Sequence, residues 1–512
     1  MSRINTNVQS LLAQRVLGAN NLNLNQSLER LSTGTRINRG KDDPAGLIAS
    51  ENLRSEATAL TAAISNAERA DQVVNIAEGG LQEVSNLLNE LQGLLTTTAN
   101  QAGLSEQEKS ANQQQVDSIL QTIDRIASAT AFQGTKLLNG GFDYRVSGVV
   151  GDVTDFQVNG AKFEGASLDV DVLVTQSAQQ AGFFLQTAAT GGTAIDLTDE
   201  TSEFRIEIGG SLGSRELSFS SGQTNVQIAA AINAFSDVTG VEATASANGI
   251  SLVSTAFGSD EFVSIKVVDD GGITGTGVGI YNFEAGEFGT PEGSVESTFA
   301  AATNEIRDLG QDVNATVNGI RAVTDGKDIR INTDFLDVEL TLSTAASQAL
   351  GAVDGGTPGT SAFSITGGGA DFQLAGQVDI AGKVSLGIGN VASRNLGNST
   401  NGFLGDLASG QSLNLEDADD LSSAQEVVSD AIEQVSTLRG RLGAFQRNTV
   451  GATIRSLSIS LENTNAAESV IRDTDFAAET AQLTRSQILV SSSTQVLSLA
   501  NTQPQSVLQL LG

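Results

Sequence analysis

Glu416, Asp417, Asp419 and Asp420 place four carboxylates within five positions, residue types that could hold a hard cation such as calcium. The spacing lacks the central Gly and closing Glu of an EF-hand loop, and acids also gather at helix N-termini to complement the backbone dipole. A cap for the helix that follows is the expected role, and no metal ligand is assigned. Asp269-Asp270-Gly271 reads as a turn. Other chemistry is removed by absence. The 512 residues include no His and no Cys, which excludes Ser-His-Asp and Cys-His nucleophile pairs, zinc sites of the usual ligand types and disulfides. No catalytic and no cofactor-binding residue is assigned, and an enzyme is the least favoured class.

The charge balance narrows the partners. Twenty-eight Lys and Arg stand against 60 Asp and Glu, a net charge of −32. Nucleic acid and anionic membrane surfaces attract the opposite sign, so neither is an expected partner. The charge is unevenly spread: residues 141–410 carry −23 of it, with 41 of the 55 Gly and 19 of the 22 aromatics, while the two ends together carry −9. The last 27 residues have no charge at all, but 14 of them are Ser, Thr, Asn or Gln, too polar for a membrane span. The N-terminal residues lack the apolar run and small-residue cleavage site of a secretory signal, so a cleaved signal is not expected.

The ends must therefore be positioned by helices. Leu53, Leu60, Ala67, Val74, Leu81, Leu88 and Leu95 recur every seven residues, with Ala63, Ala70, Ala77, Val84 and Leu91 as the companion seam. A matching seam runs Leu421, Ala424, Val428, Ala431, Val435, Leu438, Leu442, Phe445, Thr449 and Ala452. A third helix opens at a Ser105–Glu108 capping box and carries Val116, Ile119, Ile123 and Ile126. These three stripes predict a bundle to which the chain returns after its middle. The extreme ends carry thinner stripes, Ile4, Val8, Leu11, Leu17, Leu24, Leu28 and Leu31, then Phe476, Leu483, Val490, Leu497 and Leu511. Each buries little by itself, so these ends are expected to order only against partners. The middle alternates as strands do, with Phe204, Ile206, Ile208, Leu217, Phe219, Phe262, Ile265 and Val267, the turn pairs Asn248-Gly249 and Asn318-Gly319, and one helix near residues 226–235.

Several motifs at both ends resemble bacterial flagellin, the subunit of the flagellar filament. They are Ser32-Thr33-Gly34-Thr35-Arg36-Ile37-Asn38, Lys41-Asp42-Asp43-Pro44-Ala45-Gly46-Leu47, Phe132-Gln133-Gly134-Thr135-Lys136-Leu137-Leu138, residues 469–477 and residues 500–508. The resemblance covers residues 1–140 and 411–512. Residues 229–267 are similar to a repeat found in the variable region of many flagellins and in some filament-cap proteins.

The resemblance implies an α+β multidomain fold: coiled-coil N- and C-terminal helices and a discontinuous helical bundle, with one or two β-rich domains inserted between them. The implied domains are residues 1–40 with 470–512, residues 41–143 with 411–469, and an outer part over 144–410. It implies a structural protein that polymerises head to tail into the swimming filament and is exported unfolded through the channel to an extracellular position. Its implied partners are other flagellin subunits, the hook-filament junction and filament-cap proteins, and the export apparatus with its chaperone. Ile4, Val8, Leu11, Leu24, Leu31, Phe476, Leu483, Val490, Leu497 and Leu511 are then self-assembly residues. Arg36, Asn38, Asp42 and Asp43 read from their own types as a solvated, capped linker, and the resemblance adds contact between subunits as an alternative. Glu90, Leu94 and Thr97 align with the patch by which a Toll-like receptor detects many flagellins. The family's recognised form has Arg and Gln at the first and last of these, so weak recognition is expected. A hook-filament junction protein and a filament-displayed adhesin are the alternative functions.

Overall fold

The computed structural model describes residues 6–100, 103–187, 194–197, 202–273, 277–284, 287–291, 293–357, 359–416 and 421–511. Its helices are α1 (Val8–Thr33), α2 (Pro44–Thr98), α3 (Glu106–Ala129), α4 (Asn225–Asn233), α5 (Ser236–Thr239), α6 (Thr344–Gln348), α7 (Ser422–Ala444), α8 (Gly451–Arg472) and α9 (Phe476–Leu511). Strands are the main regular structure between α3 and α7, so the fold is α+β with helical ends and a β-rich insertion. Two compact units divide it, one of residues 1–74, 372–383 and 443–512, the other of residues 75–371 and 384–442.

In the first unit α2 begins where its sequence allows. Asp43 accepts the Gly46 N–H at 2.9 Å as an N-terminal cap, and Pro44 occupies the first turn, where a missing N–H costs nothing. Ala63, Ala67, Ala70 and Val74 are buried on one stripe of α2. Gln446 donates to Asp71 at 2.8 Å, and the Phe372 ring lies 6.0 Å from that of Phe445.

The predicted C-terminal seam changes register here. Phe445–Val450 is a π-helical segment in which Gly451 N–H donates to the carbonyl of Gln446, five residues back. One extra residue in a turn rotates everything after it by about 100°. Phe445 and Val450 are buried, Thr449 is only half-buried and Ala452 is exposed, so the seam continues through Leu457, Leu461 and Thr464. The strict heptad reading of Thr449 and Ala452 is thereby corrected, because heptad counting assumes α-helical turns without an inserted residue.

In the second unit the three stripes meet as the spacing predicted. Leu81, Leu88, Leu91 and Leu95 of α2, Val116 and Ile123 of α3, and Val428, Ala431, Val435 and Leu442 of α7 are buried. The Ser105–Glu108 capping box closes the start of α3. Arg439 Nε on α7 donates to Glu78 on α2 at 2.9 Å. The buried Gln113 of α3 donates to the carbonyl of Leu407 at 2.8 Å and accepts from Leu415 N–H at 2.7 Å, which fastens the segment leading into α7.

The insertion in this unit holds two hydrophobic cores. One gathers residues between 181 and 302, including Phe183, Phe204, Ile206, Ile265 and Phe299, with α4 contributing Ile228 and Ile232. The other is built from residues between 144 and 178 and between 313 and 365, including Val172, Val317, Val338 and Phe363. The chain thus passes through the second core, builds the first and returns. The strand pairs that make both are antiparallel. Asn318-Gly319 forms the two-residue turn its sequence signals, with φ of +49° and +77°. Asn248-Gly249 instead ends a four-residue loop joining strands 241–245 and 250–254.

Candidate self-assembly site in the terminal helices

α1 opens on Asn7, whose side chain caps Ser10 N–H at 3.1 Å, and closes on Gly34 in the left-handed region at φ +73°. At that root the chain is pinned to the start of α9. Arg36 N–H donates to the carbonyl of Arg472 at 2.6 Å, and Thr474 N–H donates to that of Gly34 at 3.0 Å.

From this root α1 and α9 run antiparallel. Asn20 donates to Ser493 at 2.7 Å, Ser10 to Asn501 at 2.7 Å and Asn7 to the Ala500 carbonyl at 2.8 Å. A seam withdrawn from solvent runs along α1 at 10, 13, 17, 20, 24, 27 and 31, with 29 and 30 beside its last turn also partly covered, and along α9 at 479, 483, 486, 490, 493, 497 and 500. Both sets are spaced three and four, the heptad of a paired coil. Leu24, Leu31, Leu483, Val490 and Leu497 are half-buried in this seam. Between them sit small or polar residues, including Ala13, Ser27, Ser486 and Ser493, which are buried.

Two expectations change. Val8 and Leu11 are exposed and lie off the seam, and Phe476, at the first position of α9, keeps the heptad phase of Leu483 but is exposed; Leu12, Leu22, Ile488, Val496 and Leu499 are exposed as well. The single stripe expected of α1 mixed covered residues with exposed ones, because apolar periodicity alone does not show which apolar side chains a partner helix covers. The ends were also expected to order only against partners, yet each is helical here against the other, held by side-chain hydrogen bonds that apolar periodicity does not reveal. Ile4 lies outside the described residues, and Leu511 falls in the last turn of α9.

The linker residues are engaged within the chain. Arg36 Nη2 donates to the carbonyl of Ile471 at 2.6 Å, and Asn38 Nδ2 donates to Glu29 at 3.2 Å. Asp42 accepts from the backbone N–H groups of Asn38 and Arg39, while Asp43 caps α2. Glu90 and Thr97 are exposed on α2 and Leu94 between them is half-buried, one face at helical spacing. Of the acidic run, Asp417, Asp419 and Asp420 lie outside the described residues. Asp269 and Asp270 accept from Gly271 and Gly272 N–H, making the predicted turn. Gln113, Asn20, Ser493, Arg30 and Glu479 were missed as structural residues. Their signal, a polar residue on a seam, is visible only once the seam is known.

Residues 4–143 match the family model for the bacterial flagellin N-terminal helical region, and residues 425–511 match that for its C-terminal helical region. Residues 203–256 match the flagellin hook IN motif. The B-type flagellin of Pseudomonas aeruginosa is 31% identical over 99% of this chain and 99% of its own length. The chain belongs to the bacterial flagellins. Similar relatives include polar flagellin F of Vibrio parahaemolyticus, 26% identical over 99% of each chain, and a flagellin of Salmonella rubislaw, 28% identical over 99% of each. As a flagellin the protein is a structural subunit of the flagellar filament, which assembles from other flagellin subunits outside the cell. Neither the junction-protein nor the adhesin alternative is favoured by these likenesses. Among the described residues of this flagellin, no helix is long and apolar enough to cross a membrane.

Proposed function

We propose that the outward apolar stripes of α1 and α9 are the contacts by which this flagellin joins its neighbours in the filament. The observation that carries this is the exposure of Leu11, Leu22, Ile488 and Leu499 on helices whose other face is already occupied. A stripe of that kind is costly in water and favours burial against another apolar surface. Subunits then join through unlike surfaces, head to tail, and the contacts propagate as an open helix. In this reading residues 1–40 with 470–512 form the inner tube, residues 41–143 with 411–469 its wall, and residues 144–410 the solvent-facing exterior. The −23 carried by the middle supports the last assignment. The subunit travels unfolded through the channel, aided by an export chaperone, and meets junction and cap proteins at the two ends of the filament. A chain without His, Cys or a paired nucleophile performs no catalysis in this role.

Seeded polymerisation tests the reading. The full chain should extend filament seeds, as should a chain lacking residues 150–400, whereas removal of residues 490–512 should abolish extension. Extension by the shortened C-terminus would remove α9 from the assembly surface.

A further inference from the structure

In an Asn-Gly pair the side-chain amide carbon lies open to attack by the next backbone nitrogen, because glycine carries no side chain to crowd the approach. The chain holds five such pairs, beginning at Asn139, Asn159, Asn248, Asn318 and Asn401. Sequence makes them equivalent, and the fold does not.

Four of the five side chains are held. Asn159 is 4% exposed and accepts from the Arg441 guanidinium, and Gly160 pairs with Asp337 in an antiparallel ladder. Asn318 accepts from Asp171 N–H at 2.8 Å and donates to the carbonyl of Asp169 at 3.1 Å. Asn401 donates to Asp430 at 3.0 Å, and Gly402 pairs with Asn398 in a short ladder. Asn139 accepts from Gly141 N–H at 3.1 Å, which holds its side-chain oxygen toward the residue beyond Gly140. A held amide must give up its hydrogen bond, and a laddered backbone its extended form, before the side chain can close on the next nitrogen.

Asn248 is under neither restraint. It is exposed in the loop joining strands 241–245 and 250–254, and among the described residues its side chain makes no hydrogen bond. Gly249 N–H makes none either, since the loop closes instead through Ser246 N–H to the Gly249 carbonyl at 2.8 Å. Packing keeps the glycine in place: a Cβ there would stand 2.2 Å from the Leu185 carbonyl oxygen.

We propose that Asn248 is a site of spontaneous modification, at which the asparagine cyclises onto Gly249 and then opens to aspartate and isoaspartate. The Gly249 nitrogen bonds to Asn248 Cγ, the Cγ–Nδ2 bond breaks, and ammonia leaves with the proton that the glycine nitrogen gives up. Water then opens the imide ring. Opening at Cγ restores the main chain with an aspartate, and opening at the former peptide carbonyl routes the main chain through Cγ as isoaspartate. Water is the sole co-reactant, and nothing is oxidised or reduced. Either product adds a carboxylate to residues 141–410, which already carry −23. The inference concerns one loop and does not depend on how subunits join.

The purified full-length chain is held at mildly alkaline pH and physiological temperature. Peptide mapping by mass spectrometry follows deamidation at each pair, and enzymatic methyl transfer reads isoaspartate. In the folded chain Asn248 should convert faster than Asn139 and at least tenfold faster than Asn159, Asn318 and Asn401. In guanidinium chloride the five should convert at similar rates, because the bonds that hold four of them are gone. Asn248→Gln should remove most of the isoaspartate label that the folded chain acquires. The proposal is overturned if any other pair keeps pace with Asn248 in the folded chain, if Asn248 keeps its lead in denaturant, or if the label persists in Asn248→Gln.

Discussion

Asn20 Nδ2 on α1 donates to Ser493 Oγ on α9 at 2.7 Å, although 473 positions separate the two residues. This bond sits inside a heptad seam, where two amphipathic helices would more often place leucines. The inner face thus combines polar contacts with the half-buried Leu24, Leu31, Leu483, Val490 and Leu497, while Leu11, Leu22, Ile488 and Leu499 stay exposed on the other face. The terminal pair therefore leaves an apolar surface exposed outside its seam.

That surface should govern assembly without governing the fold of the subunit. Leu22 is 71% exposed, so Leu22→Ser should change the unfolding free energy by less than about 0.5 kcal/mol. Burial of a leucine is worth about 1.5–3 kcal/mol, so the critical concentration for seeded growth should rise about tenfold or more. Sedimentation of filaments at graded subunit concentrations measures this. An unchanged critical concentration would place Leu22 outside the contacts.

The π-helical segment makes an unusual prediction about deletions. Asn448 is exposed inside it, and deleting that residue removes the extra position while keeping Val450 and Leu457 on their present face. The variant should retain its melting temperature within about 2 °C. Deleting Ser458 in α8 should instead rotate the rest of the helix by about 100° and withdraw Leu461 and Thr464 from their seam. A pronounced loss of stability is expected, and calorimetry of the two deletions compares them directly.

Charge and burial act in opposite senses at two aspartates, Asp117 on α3 and Asp308 in the strand 306–309. Burial pushes the Asp117 carboxyl up, but hydrogen bonds from the Ser409 hydroxyl and N–H and from Gln113 outweigh it and hold the carboxyl below its ordinary value. Its stabilising contribution is present above the ordinary aspartate range and is lost as pH falls through the lowered value. Asp308 is raised by burial, against hydrogen bonds from Gly182 and Leu309 N–H. Its contribution is present below the ordinary range and is lost as pH rises through the raised value. At pH 7, Asp117→Asn should therefore destabilise, by about 1 kcal/mol given its partial exposure, and Asp308→Asn should stabilise. Gln113→Leu should cost about 1–3 kcal/mol, because it strands the Leu407 carbonyl and Leu415 N–H. Denaturant unfolding from pH 3 to 8 follows all three.

The exposed face of α2 bears on immune detection. We expect the purified monomer to activate a Toll-like receptor reporter cell weakly, because Glu90 presents a negative charge where the family's recognised form has Arg. Glu90→Arg with Thr97→Gln should increase activation at least tenfold. Strong activation by the unmodified chain would contradict the assignment.

Periodicity made the long helices legible. Leu81, Leu88 and Leu95 are buried where their spacing placed them, because a continuous α-helix converts sequence position directly into a face. The Ser105–Glu108 box and the Asn318-Gly319 turn were equally readable, since each rests on backbone geometry within four residues. Thr449 and Ala452 left the seam because one added residue in a turn changes every later angle and carries no apolar signature. The double face of α1 and α9 was hidden for a related reason: Ser10, Asn20 and Glu479 look solvent-facing until a partner is placed across from them.

Sequence alone thus determined the absence of His and Cys chemistry, the division between neutral helical ends and an acidic β-rich middle, and the family motifs that bracket it. These follow from composition and local spacing. Only the tertiary structure decided which apolar residues of the terminal helices stay outside their seam, because Val8 and Leu11 part from Leu24 and Leu31 only once α9 lies against α1.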